Sequence, residues 1–154
     1  GINVLVAAQM LIDNPQITLD ELARKTAEWA SRTRVFGALD TLENLKKGGR
    51  VSGAKAFFAS ALAIKPIVEV REGKIMEGGK ERTRSKALAL LIEKVKSAGP
   101  ISNLAVLHAQ CADLDMFLEQ LKSVYSGEII VGEVGSVIGS HTGVGTMGVT
   151  FHVK

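Results

Sequence analysis

Three adjacent stretches constrain the fold most: NLAVLH from Asn103 to His108, an amphipathic run from Asp113 to Tyr125, and EIIVGEV from Glu128 to Val134. The outer two are short, apolar and rich in branched residues, as strands are, while the middle one has the length and spacing of a helix. Strand, helix and strand in direct succession make a βαβ unit, whose two strands run parallel. The expected fold class is therefore α/β: a mixed β-sheet with packed helices, including this C-terminal βαβ unit.

The preceding residues supply further elements. Ile2 to Ile12 is an apolar helical stretch, and Thr18-Leu19-Asp20-Glu21 is a capping box that starts a second helix ending near Arg32. With a turn at Asn14-Pro15, residues 1–32 form a helical hairpin leading into the domain. Val35 to Leu39 is short and continuously apolar, as in a strand buried on both faces. Asp40 to Glu43 caps another helix, which Gly48-Gly49 ends. A short apolar helix starts at Ser52 or Gly53 and runs through Leu62, until Lys65-Pro66 stops it. Ile67 to Val70 and Lys74 to Glu77 flank Arg71-Glu72-Gly73 as a β-hairpin would, and a helix spans about Thr83 to Ala98 before Gly99-Pro100. No internal repeat or second domain boundary is evident.

The chain closes on IGSHTGVGTMGVTFHVK, in which Gly143, Gly145 and Gly148 spell G-x-G-x-x-G. A dinucleotide fingerprint needs a helix after its glycines, so that the pyrophosphate sits at the helix N-terminus. Here Val149, Phe151 and Val153 alternate with Thr150, His152 and Lys154, which is a strand, and no acidic residue can follow at the required spacing. The glycines are expected instead to allow a tight turn and close packing before an edge strand. Ser140, His141 and Thr142, just upstream, are three consecutive hydrogen-bonding side chains in an otherwise small, apolar loop. All three can donate to a carboxylate, and histidine can also carry charge.

Charge is uneven. Lys46 to Lys86 holds eleven Lys and Arg against four Glu, a net +7, and the rest of the chain sums to −4, giving +3. Such a block can attract nucleic acid, an acidic protein or a phosphorylated ligand. Its only aromatics, Phe57 and Phe58, lie in an apolar stretch rather than between basic residues, which counts against nucleic acid. The longest uncharged apolar run, Ala56 to Ile64, is far short of the roughly 20 residues of a membrane-spanning helix, so no stable membrane insertion is expected. Cys111 is the only cysteine, which fits a reducing, cytoplasmic setting. The first residue is Gly1, and no basic signal-peptide segment precedes the apolar stretch, so the chain reads as part of a longer protein.

The segment RTRVFGALDTLENLKKGGRVSGAKAFFASALAIKPIVEVREGKI, then KERTRSKAL, and finally GEVGSVIGSHTGVGTMGVTF together resemble, in order, the C-terminal half of the DegV family. These are bacterial fatty-acid-binding proteins that present acyl chains to a fatty acid kinase. The chain departs from the family in having Val144 where proline is common and Thr146 where a small residue is. The resemblance implies that residues 1–154 are a DegV-like C-terminal domain, with an N-terminal domain of similar size supplying hydroxyl residues for the fatty acid carboxylate.

In such proteins the acyl chain lies in an apolar tunnel between the domains. His141 matches the histidine near the carboxyl group, with Thr142 and Ser140 as further candidates. Arg50 and Arg82 match arginines associated with kinase docking or head-group positioning, roles that Arg84 and Lys86 could share. Phe57, Phe58, Leu62 and Ile64 could line the tunnel or simply pack a core. The resemblance implies a long-chain fatty acid as ligand, no cofactor and no metal, and binding rather than catalysis. The alternative is an enzyme domain acting on an anionic small molecule at Ser140 to Thr142. His108 and Cys111 offer two potential zinc ligands without a second pair, and a Cys111 nucleophile would have only His108 as a sequence-local activator.

Overall fold

A computed structural model describes residues 1–49 and 64–154. The short helix expected up to Leu62, together with Arg50, Phe57, Phe58 and Leu62, lies outside the described residues. In chain order the elements are α1 (Ile2–Asp13), α2 (Leu19–Arg32), β1 (Thr33–Ala38), α3 (Glu43–Lys47), β2 (Lys65–Arg71), β3 (Lys74–Glu81), α4 (Arg84–Ser97), β4 (Ile101–His108), α5 (Leu114–Lys122), β5 (Ile130–Glu133), α6 (Ser136–Thr142) and β6 (Met147–Val153). The strands form one sheet in the order β3-β2-β1-β6-β4-β5. Only β4 and β5 are parallel neighbours, as the βαβ reading requires; every other described pairing is antiparallel.

Strand alternation divides the side chains between two faces. Phe36 and Ala38 of β1, Leu104 and Val106 of β4, and Met147, Val149 and Phe151 of β6 point to one face, where they pack with Ala87, Leu88, Leu91 and Val95 of α4 and Phe117 and Leu121 of α5. This is the main core. The other face carries a smaller cluster in which Leu45 of α3 packs on Leu39 and Val68. On the same face α1 and α2 reach His152 of β6: Asn3 accepts from Nε2 at 2.7 Å and the Trp29 ring meets the imidazole edge-on at 4.9 Å.

The Thr18 cap acts as read, and the structure adds further local detail. The Thr18 hydroxyl accepts from the Glu21 N–H at 3.2 Å, and Thr83 caps α4 by accepting from the Lys86 N–H at 3.4 Å. Glu72 and Gly73 both take positive φ in the β2–β3 turn.

Three expectations need correction. The final strand is not an edge: β6 lies between β1 and β4, because its apolar alternate residues are needed at the centre of the core. Ser140, His141 and Thr142 are not in a loop, since residues 136–142 form α6. Asp40 does not cap α3; Thr41 accepts from the Glu43 N–H, and the Asp40 carboxylate turns to Lys65 and Arg84. Among the described residues no helix is long and apolar enough to cross a membrane.

Candidate functional site

The loops after β1 and β4, the start of β2 and the loop before β6 all lie at one end of the sheet, where α4 begins. Arg84, in the first turn of α4, ties them together. Its Nε donates to Asp113 Oδ2 at 2.7 Å and its Nη2 to Asp113 Oδ1 at 2.9 Å, a bidentate pair. Nη1 reaches the Asp40 carboxylate at 3.4 Å and donates to the Gly145 carbonyl, and Nη2 also donates to Cys111 Sγ at 3.2 Å. Lys65 Nζ donates to Asp40 from the other side at 3.0 Å. The guanidinium hydrogen bonds hold the Asp113 carboxyl below its usual range, and the same bonds raise Arg84 despite its partial burial.

This cluster borders a cavity of about 420 Å³ lined by Asp40, Arg84, Gln110, Cys111, Asp113 and Val144, among others. The Cys111 thiol donates to the Thr146 carbonyl at 3.2 Å, so its proton is engaged in the structure as well as its lone pair. Arg84 is the basic neighbour that sequence spacing could not reveal, because it lies 27 positions from Cys111. Among the described residues no group of three or more His, Cys, Asp and Glu is placed to hold a metal.

Beside this cluster α6 packs against α3. The contact depends on absent side chains: a Cβ on Gly48 would collide with the His141 imidazole, and one on Gly143 would collide with the Asn44 amide. Gly143 and Gly145 also have φ of +85° and +81°, so they serve a turn and a close approach, as the sequence reading held. His141 is half-buried against the turn that leads to Arg50, and its Nδ1 is buried without a hydrogen-bond partner among the described residues. The structure thus brings Gly48, at the end of α3, and the S-H-T segment together, although they are far apart in sequence.

The neighbouring hydroxyls are differently engaged. Ser140 Oγ donates to the Val137 carbonyl at 2.8 Å and Thr142 Oγ1 to the Ile138 carbonyl at 3.2 Å, both within α6. Donation to a ligand would require either proton to turn away from its helix. Arg82 is exposed in the bend before α4, two residues from the Arg84 cluster. Ile64 is half-buried immediately before β2.

A six-stranded mixed sheet helical on both faces, with a histidine seated on a glycine turn at one end, defines the class: an α/β domain with a partly enclosed polar site. The chain belongs to the DegV family, whose model, described as "uncharacterised protein, DegV family", matches residues 1–154. A DegV domain-containing protein of Streptomyces coelicolor is 39% identical over 137 residues, covering 86% of this chain and 49% of that protein. Protein DegV of Bacillus subtilis is 32% identical over 159 residues, covering 100% of this chain and 56% of its own length. The chain therefore spans about half the length of these relatives.

Solved structures agree. The fatty acid binding DegV family protein from Streptococcus agalactiae superposes with a TM-score of 0.85 at 28% identity, over 99% of this chain and 55% of that one. A DegV family protein from Eubacterium eligens, loaded with heptadecanoic acid, gives a TM-score of 0.85 at 25% identity, over 99% and 56%.

Proposed function

We propose that this chain is the C-terminal domain of a fatty-acid carrier that shelters a long-chain acyl group and presents its carboxyl to a fatty acid kinase. The observation that carries this reading is the match, along the whole chain, to solved relatives described as binding fatty acids. His141 supports it chemically. A carboxylate at a partly apolar mouth needs fixed donors to offset its desolvation, and an imidazole braced by Gly48 is such a donor. Ser140 and Thr142 contribute by fixing α6, and would bond the carboxylate only by releasing their own carbonyls.

The other wall of the tunnel, in this reading, comes from an N-terminal domain of the same protein. Phe57, Phe58, Leu62 and Ile64 are proposed to line the wall that this chain supplies. Arg50 and Arg82 lie in the basic block and are proposed as the docking edge for the kinase, with the carrier at work in the cytoplasm, where Cys111 stays a thiol. The chain itself performs no bond-breaking step; the kinase phosphorylates the carboxyl group. The test is acyl-phosphate formation by the kinase on the loaded full-length protein, measured beside lipid occupancy. Lipid retained and phosphorylated supports the reading, and lipid bound but never accepted by the kinase removes the presenting role.

A further inference from the structure

Asn44 sits one helical turn before Gly48: the Gly48 N–H donates to the Asn44 carbonyl at 2.9 Å, so both residues lie on the same side of α3. That side meets the C-terminal end of α6 at two places. The His141 imidazole turns Nδ1 against Gly48, and the Asn44 amide turns Nδ2 against Gly143, so close that a Cβ on either glycine would overlap it. An asparagine and a histidine therefore share one seam, about one helical turn, or roughly 5.4 Å, apart.

Both side chains have an unused donor. Asparagine is a poor helix former because its amide competes for backbone groups, yet the Asn44 amide takes none of them. It makes no hydrogen bond among the described residues, and neither of its ends is buried. Of the two His141 ring nitrogens only Nδ1 is buried without a partner, and Nε2 opens to solvent. A proton on Nδ1 would face Gly48 with nothing to accept it, so the neutral ring carries its proton on Nε2, as a donor.

The surroundings suit an anion. Carbonyls that end a helix repel negative charge, but Thr146 Oγ1 engages those of Thr142 and Gly143, at 3.1 and 2.8 Å. Lys46 and Lys47 are exposed in the last turn of α3, against Glu43 in its first. Val144, 68% exposed, stands next to Gly143, so the mouth of the seam is partly apolar. With hydrogen bonds of about 2.8 Å on either side, a carboxylate spans a gap of one helical turn and accepts from both donors.

We propose that the Asn44 amide is a second donor to the acyl head group, bonding one carboxylate oxygen while His141 Nε2 bonds the other. This rests on the fatty-acid reading above and adds to it a residue that selects an ionised head group. Two donors on one seam fix the plane of the carboxylate, so that its oxygens meet an incoming phosphoryl group in one orientation.

The test uses the full-length protein, with affinities for oleate and for oleyl alcohol measured for wild type, Asn44→Ala and Asn44→Asp alongside thermal melts. The alcohol has the same tail without the charge. Asn44→Ala is expected to melt close to wild type and to lose about ten- to a hundredfold in oleate affinity, as for one hydrogen bond to a charged group, with the alcohol changed by less than about threefold. Asn44→Asp loses more oleate affinity than the alanine variant, because two carboxylates then face each other, and it decides the matter if Asn44→Ala does not fold. Unchanged oleate affinity in a folded variant, or oleate and alcohol weakened in equal measure, overturns the role of Asn44 while leaving fatty-acid binding intact. A wild-type protein that binds neither ligand overturns both.

Discussion

Gly48 and His141 depend on each other, because the imidazole occupies the space that any side chain at position 48 would fill. Gly48→Ala must push the ring aside, so it is expected to weaken fatty-acid binding about as much as His141→Ala does. For a lost hydrogen bond to a charged group that is about 1.5–3 kcal/mol, or roughly ten- to a hundredfold in affinity. Calorimetric titration of the full-length variants with oleate checks it, and normal affinity in both would return His141 to a packing role. Arg84 is a different case. Arg84→Ala leaves Asp113 and Asp40 without their guanidinium and frees the Gly145 carbonyl, and should cost about 2–4 kcal/mol in urea unfolding. Arg84→Lys keeps the charge but loses the bidentate fork, and should recover only part of that. A midpoint unchanged from wild type in Arg84→Ala would contradict the bridging role. His141 stands out as a candidate in the sequence from its Ser and Thr neighbours and the family resemblance. The use of Arg84 to join four segments was not, since no local pattern marks an arginine whose partners lie tens of residues away.

Among the elements, the α1–α2 hairpin is fastened to the sheet through His152. The Asn103 amide donates to Nδ1 at 3.2 Å and Nε2–H donates to Asn3 at 2.7 Å, an arrangement that only the neutral imidazole satisfies. Thr33 completes it by donating to the same Asn3 oxygen at 3.0 Å. Burial lowers the His152 pKa below the ordinary 6.5. The unfolded chain therefore takes up this proton first: the contribution to stability is complete above about pH 6.5 and is lost as pH falls from there towards the lower folded value. Unfolding free energies at a series of pH values should decline over that window in wild type, with a visibly smaller decline in His152→Gln. Equal slopes would rule out His152 as the source. Asn103 reaches the ring because it sits with φ +52° at an irregularity in the β4–β6 pairing, between Ser102 and Ala105. Nothing in NLAVLH signals that bulge. The βαβ unit, the hairpins and the Thr18 cap were legible because each is encoded locally, whereas Asp40 was misread as a cap because its partners Lys65 and Arg84 are distant in sequence. The central position of β6 was not, because strand order is decided by which apolar faces complete the core rather than by position in the chain. The helical form of residues 136–142 was hidden by glycines at both ends.

For the molecule as a whole, the relatives that the chain matches are about twice its length. The chain alone should fold, since its main core closes within it, yet bind fatty acid far more weakly than the full-length protein. Each methylene returned to water costs about 0.8 kcal/mol. Equal oleate affinity for the two would contradict a two-walled tunnel. Charge at a docking edge mainly affects encounter rate and salt dependence, whereas apolar burial holds the tail. Arg50→Ala and Arg82→Ala in the full-length protein should therefore keep their lipid and be phosphorylated more slowly; normal turnover in the double variant would remove the docking role. The most direct measurement is native mass spectrometry of the full-length protein as purified from its host. The account predicts a mass excess that denaturation releases as a single long-chain fatty acid, diminished in His141→Ala. A protein that carries no acyl chain, and takes none up when oleate is added, would contradict it.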